Sequence, residues 1–167
     1  MIHPASLDNE TLLKNCEVTR TRRGGPGGQH RNKVETAVVV VHNSSGVSGQ
    51  ASELRSQADN LQMAVRRLKV NLAIAVRTPV DSARIPSSLW QERSHGQRIR
   101  VSTEHADFPA ILAEALDFLD GCECGVPEAS RLLGVTSSQL LRLVRSEPAA
   151  WTWLNRRRAD LGLGLLH

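Results

Sequence analysis

The chain has 167 residues, a formal net charge of +4 and 3% aromatic residues, which leaves room for one medium domain, or a small domain plus an appendage. It contains no apolar run of the roughly 18 residues a membrane span needs. Its first residues also lack the basic and apolar regions of a signal peptide, so a cytoplasmic protein is expected. The charge is uneven: residues 1–77 hold 11 Lys/Arg against 6 Asp/Glu, and residues 78–167 hold 10 against 11. The basic half is where a polyanion would bind. The three cysteines, Cys16, Cys122 and Cys124, make no disulfide framework, and Cys122-Glu123-Cys124 has no second ligand pair at metal-site spacing. They read as free thiols, and neither a metal nor a cofactor is expected.

Taken in order, residues 7–16 predict a short helical turn, capped by Ser6 or Asp8, with Leu7, Leu12 and Leu13 inward. Cys16 to Thr21 alternates like a strand with one wet face. Then comes Arg22-Arg23-Gly24-Gly25-Pro26-Gly27-Gly28-Gln29-His30-Arg31-Asn32-Lys33. Four glycines and a proline within five positions exclude a helix or strand interior, because glycine carries a backbone-entropy penalty and proline lacks a donor. The segment is a loop with exposed backbone N–H groups, flanked by the cations Arg22, Arg23, Arg31 and Lys33. It suits a phosphate-rich anion.

Thr36 to His42 carries the β-branched run Val38-Val39-Val40-Val41 and predicts a well-buried strand. Asn43-Ser44-Ser45-Gly46 is a turn, and Val47 to Glu53 is a second, more polar strand of a hairpin. From Ser56 to Arg77 the period becomes helical, with Leu61, Ala64, Val65, Leu68, Leu72, Ala75 and Val76 on one stripe, and Thr78-Pro79 ends it. Residues 78–97 show no clear period and read as a connector, with Trp90 a packing residue rather than a base-stacking platform. Arg98 to Ser102 is a short strand candidate that would extend the sheet.

A helix from near Asp107 is expected to bury Phe108, Ile111, Leu112, Ala115, Leu116 and Leu119 and to leave Glu114, Asp117 and Asp120 wet. Seven acids and no Lys or Arg lie between Glu104 and Glu128, which reads as a face that repels nucleic acid. A helix over 127–133, Gly134 as its C-cap, and a helix opened by a Thr136–Gln139 capping box resemble a helix-turn-helix. A last helix runs from Ala149 to Asp160 and carries Arg156-Arg157-Arg158.

At Gly25-Pro26-Gly27-Gly28-Gln29-His30-Arg31-Asn32-Lys33 the chain resembles the catalytic domain of class I peptide chain release factors, whose pattern is Gly-x-Gly-Gly-Gln-x-x-Asn-Lys. Arg55-Ser56-Gln57 with Asn60 looks like the Arg-Ser-Gln-x-x-Asn element that opens that family's long helix. The resemblance covers roughly residues 10–77, and Gly24 departs from it where release factors usually have Ser. Together with the elements read above it gives an α+β fold: a small sheet and a long helix over 1–77, which the resemblance implies, then a connector over 78–105 with a possible extra strand and a helical region over 106–167. Domains that would read a stop codon do not fit in the length. The chain therefore resembles the short, codon-independent branch, peptidyl-tRNA hydrolases that rescue stalled ribosomes. That branch's long basic tail is not matched here; only Arg156–Arg158 is similar to it.

The resemblance also implies the roles. Gln29 would supply a backbone amide to the oxyanion or leaving group, and its side chain would shape a pocket for water. Gly27 and Gly28 would permit the conformation that aims the amide. Arg22, Arg23, His30, Arg31, Lys33 and Arg55 would hold phosphates of ribosomal RNA and tRNA. His30 there reads as a solvated neighbour rather than a general base. Gly25, Pro26, Asn32, Ser56 and Gln57 would support the loop, and Gln29 is a candidate for side-chain methylation. The implied partners are the peptidyl-transferase centre and peptidyl-tRNA. A competing reading makes residues 127–146 a DNA-binding module. Its second helix offers mainly Gln139, Arg142 and Arg145 beside an acidic helix, which argues against DNA.

Overall fold

A computed structural model describes residues 2–21, 37–80 and 85–167. The β-branched run makes the central strand of a three-stranded antiparallel sheet. Strand β2 (Ala37–His42) lies between β1 (Cys16–Thr21) and β3 (Ser48–Ala51). Val38, Val40 and His42 point to the covered face while Val39 and Val41 are half-buried. The hairpin turn closes with the Gly46 N–H on the His42 carbonyl at 2.8 Å. His42 is structural, its Nδ1 2.8 Å from Ser45 Oγ.

Helix α2 (Gln57–Ala75) covers this sheet with Ala64, Val65, Leu68, Leu72 and Ala73. It stops at Val76, which is extended, so Arg77 leaves the helix, and Ala75 is exposed rather than part of the buried stripe. The approach of α2 to β3 is close. A Cβ built on Gly49 would sit 2.2 Å from the Ala64 carbonyl oxygen and 2.3 Å from Leu68 N. The N-terminal residues fold against the far end of α2. A 3-10 turn (Pro4–Ser6) and α1 (Asn9–Leu13) precede β1, with Asp8 as the cap of α1. His3 Nδ1 accepts from Ala5 N, so its Nε2 donates to the Val76 carbonyl at 3.0 Å.

Beyond residue 77 the structure departs from the expectations in three places. The connector contains α3 (Ser88–Arg93), which buries Trp90 and directs its indole N–H to the Leu133 carbonyl at 2.8 Å. Strand β5 (Arg98–Ile99) pairs with β4 (Ser94–His95) in a separate hairpin and does not extend the sheet. Helix α4 (Phe108–Gly121) is not amphipathic in situ. It is buried from Phe108 to Leu119, including Glu114 and Asp117, because it packs against α2 on one side and later helices on the other. The Glu114 carboxylate accepts from Ser87 N and Oγ, at 2.7 and 2.5 Å, and Asp117 accepts from Arg77 and Thr78 N.

Helices α5 (Val126–Leu132), α6 (Ser137–Arg145) and α7 (Pro148–Asp160) complete the chain. Gly134 follows α5 at φ +67°, the left-handed conformation of a helix C-cap, and the Thr136 hydroxyl accepts from Gln139 N at 3.2 Å. The α+β class stands, with one continuous buried cluster running from β2 through α2 and α4 to α7. All three cysteines are free, and burial raises the Cys124 thiol above its ordinary pKa. Among the described residues, no helix is long and apolar enough to cross a membrane.

Candidate functional site

Strands β1 and β2 determine where the glycine-rich segment belongs. Thr21 and Ala37 are register partners at the end of the pair, and 15 residues separate them in sequence. Arg22, Arg23, Gly25, Pro26, Gly27, Gly28, Gln29, His30, Arg31, Asn32 and Lys33 lie in that interval, outside the described residues.

The remaining site residues are described, and the topology brings them to the same end. Ala51 pairs with Val38, one position from the root of the glycine segment, and the chain then turns through 52–56 into α2. Arg55, Ser56 and Gln57 thus sit at the end of the sheet from which the glycine segment departs. Ser56 is the N-cap of α2, its Oγ accepting from Asp59 N at 3.3 Å. Asn60, fully buried, closes the turn from behind. Its Oδ1 accepts from Leu54 N at 3.1 Å and its Nδ2 donates to the Leu54 carbonyl at 3.0 Å. The Arg-Ser-Gln-x-x-Asn spacing therefore has a local cause. Serine starts the helix, and asparagine, one turn in, fastens the peptide before Arg55. The Arg55 side chain is exposed, with no counter-ion among the described residues.

A second clamp on this turn is not legible from the sequence. Arg67, on α2, donates to the Gln50 carbonyl at 2.8 Å and to both carboxylate oxygens of Glu53, at 2.5 and 3.3 Å. The Arg67 hydrogen bond, aided by Ser52 N, lowers the Glu53 pKa to about 2 from an ordinary 4.5. A carboxylate with a depressed folded pKa stabilises the fold above its unfolded pKa and loses that contribution as pH falls toward the folded value. The stability difference between wild type and Glu53→Gln should accordingly shrink between pH 4.5 and 2, as read by denaturant melts across that window. The pair is exposed, so the difference at neutral pH is small.

The helix-turn-helix residues have other engagements. Gln139 Oε1 accepts from Ile99 N at 3.4 Å, Arg145 lies 4.3 Å over the Trp151 ring and donates to the His167 carbonyl, and Arg142 is exposed. Two of the three side chains that a base-reading helix would present are thus used within the chain.

Comparison with known proteins identifies the scaffold. The RF-1 domain family model matches residues 8–107, from the cap of α1 to the residue before α4. The chain belongs to the class I peptide chain release factor family. Over 97 residues it is 33% identical to peptide chain release factor 1 of Rhodospirillum rubrum, covering 58% of this chain and 27% of that protein. The corresponding protein of Caulobacter vibrioides is 34% identical over 102 residues, 60% of this chain and 28% of its own length. Peptide chain release factor PrfB1, chloroplastic, of Arabidopsis thaliana is 44% identical over 61 residues, covering 36% and 13%. The chain therefore spans less than a third of the length of these relatives. No solved structure matches it. The family match extends past residue 77 through the connector, and α4 to α7 lie beyond it.

Proposed function

We propose that this protein hydrolyses the ester linking a nascent peptide to tRNA, without reading a codon, on stalled ribosomes in the cytoplasm. The observation that carries the reading is the motif Gly25-Pro26-Gly27-Gly28-Gln29 placed between paired strands, with the Arg55 turn at the same end, in a chain of the release factor family. The chemistry needs one water placed in line and an oxyanion stabilised at the tetrahedral stage. The backbone N–H of Gln29 serves as that donor, and its side chain admits water to the ester carbon. Gly27 and Gly28 allow the main chain to aim the amide. Arg22, Arg23, His30, Arg31, Lys33 and Arg55 hold ribosomal RNA and tRNA phosphates, giving affinity without base reading. Gly25, Pro26, Asn32, Ser56 and Gln57 support the loop. Residues 1–77 form the catalytic unit, 78–105 the connector and 106–167 a helical docking region.

The test is release of labelled peptide from ribosomes stalled on an mRNA that ends without a stop codon. Wild type should release peptide, and Gly28→Ala should be slower by about 10²–10³-fold, the range for losing an oxyanion donor. No release by wild type would refute the hydrolase reading. Equal release by both would remove the role given to the loop. Release only with a stop codon in the decoding site would overturn the codon-independent part.

A further inference from the structure

Five arginines of the helical region and its flanks form ion pairs within the molecule. Arg66 pairs with Glu104, Arg77 with Asp117, Arg93 with Asp107, Arg131 with Glu128 and Arg157 with Asp120. Arg158 donates to the carbonyls of Cys124 and Gly164. By contrast, Arg98, Arg100, Arg142 and, on α7, Arg156 are exposed, and their side chains make no ion pair or hydrogen bond with any described residue. Arg100 and Arg142 lie on one stretch of surface. The β4–β5 hairpin is fastened to the start of α6 by Thr136 N on the Gln97 carbonyl at 3.2 Å and by Ile99 N on Gln139. Arg100 and Arg142 line an open hollow of about 410 Å³ with Ser102, Gln139 and Ser146, and Arg142 continues into a second hollow shared with Ser138 and Arg145. No acid lines either hollow.

Three arginines, Arg100, Arg142 and Arg145, around hydroxyl groups and with no acid lining either hollow match the phosphodiester backbone in charge and in donor supply. Base reading is not available here, because Gln139 is tied to Ile99 and Arg145 is stacked on Trp151. Contacts of this kind position a protein on a nucleic acid without selecting sequence. We propose that the β5–α6 face, centred on Arg100 and Arg142, is a second grip on ribosomal RNA, separate from the glycine segment. At α6 it lies beyond the residues the family model matches. The proposal rests on the ribosome reading above.

The test is co-sedimentation of the full chain with purified vacant bacterial ribosomes over a salt series, which needs no chemistry, beside the peptide-release assay. Arg100→Gln/Arg142→Gln should weaken binding about tenfold or more near physiological salt and lower the slope of log affinity against log salt by about 2. Ser138→Glu, an acid placed on the same face of α6, should weaken binding in the same sense. The protein concentration for half-maximal release should rise in proportion. The control Arg131→Gln/Arg157→Gln removes the same charge from paired positions and should leave the slope in place. An unchanged slope for the first pair, or equal losses for both pairs, would overturn the proposal. So would a DNA duplex that binds this face as tightly as ribosomes do while ribosome binding ignores the substitutions. If wild type binds ribosomes with the expected slope but releases nothing, the hydrolase reading fails and the grip stands.

Discussion

Replacing Asp117 with alanine should lower the free energy of unfolding by about 3–5 kcal/mol, the range for removing one partner of a buried ion pair. The Asp117 side chain is fully buried, and that of Arg77 is 19% exposed. One carboxylate oxygen accepts from Arg77 Nη1 and from Thr78 N, both at 3.0 Å. Arg77 also donates to the Ala73 carbonyl and lies 4.9 Å over the Trp153 ring. The carboxylate therefore joins the end of α2, the start of the connector, α4 and, through Arg77, α7. Burial lowers the Arg77 pKa and the nearby Asp117 charge opposes that shift. Without Asp117, the guanidinium stays in the interior with only the more distant Asp120 charge acting on it, and the Thr78 N–H loses an acceptor. Asp117→Asn keeps the shape and an acceptor for Thr78, so its loss should be smaller. Arg77→Met/Asp117→Leu should recover part of the alanine loss, because both charges leave together. Denaturant unfolding of the four proteins reads this directly; an alanine variant within about 1 kcal/mol of wild type would show that α4 does not depend on the pair.

The same pair shows where sequence reasoning stops. Glu114 and Asp117 stand at helical spacing among leucines, and an acid on an otherwise apolar helix is ordinarily wet. Their partners, Ser87 and Arg77, are 27 and 40 residues away in sequence, and no local pattern announces them. The seven acids from Glu104 to Glu128 likewise suggest a repelling surface. In the fold, five of them take arginines of this chain and Glu114 takes Ser87, so the acidic stretch is largely an internal counter-ion. The consequence for function is a reversal of emphasis. Beside α6, Arg100 and Arg142 stay exposed with no ion pair among the described residues.

What was legible had local causes. Period two along β1, the β-branched run of β2, period 3.6 along α2, Ser56 and Thr136 at helix starts and Gly134 at a helix end need only their own neighbours. The structure keeps them, with boundaries moved by a residue or two. The glycine-rich stretch was legible as chemistry because its composition excludes regular structure and its spacing matches a family. Its geometry falls outside the described residues. A strand at Arg98 is legible, but its pairing with β4 is not, because a two-residue strand carries no period and the pairing depends on a turn at Gly96 and Gln97, both at positive φ.

Gly49→Ala should cost at least about 3 kcal/mol, at or beyond the upper end of the usual overpacking range. In β3, Gly49 sits opposite Val40 and faces α2. Its added carbon would meet backbone, with the Ala64 oxygen at 2.2 Å, Leu68 N at 2.3 Å and Leu68 Cα at 2.8 Å. No rotamer change relieves such a contact, so the helix must lift from the sheet. Leu68 and Ala64 are fully buried on that face, and lifting them opens space beneath them. The movement would also reach the site. Arg67, adjacent to the contact, holds Gln50 and Glu53, and through them the turn that carries Arg55. A variant that still folds should therefore lose peptide release out of proportion to its folded fraction, whereas Ala51→Gly, which empties space on the same face, should lower stability by cavity formation and leave the helix seated. Unfolding melts and release rates on the two variants separate these effects. Equal ratios of activity to folded protein would mean that the seat of α2 on β3 does not set the position of the Arg55 turn.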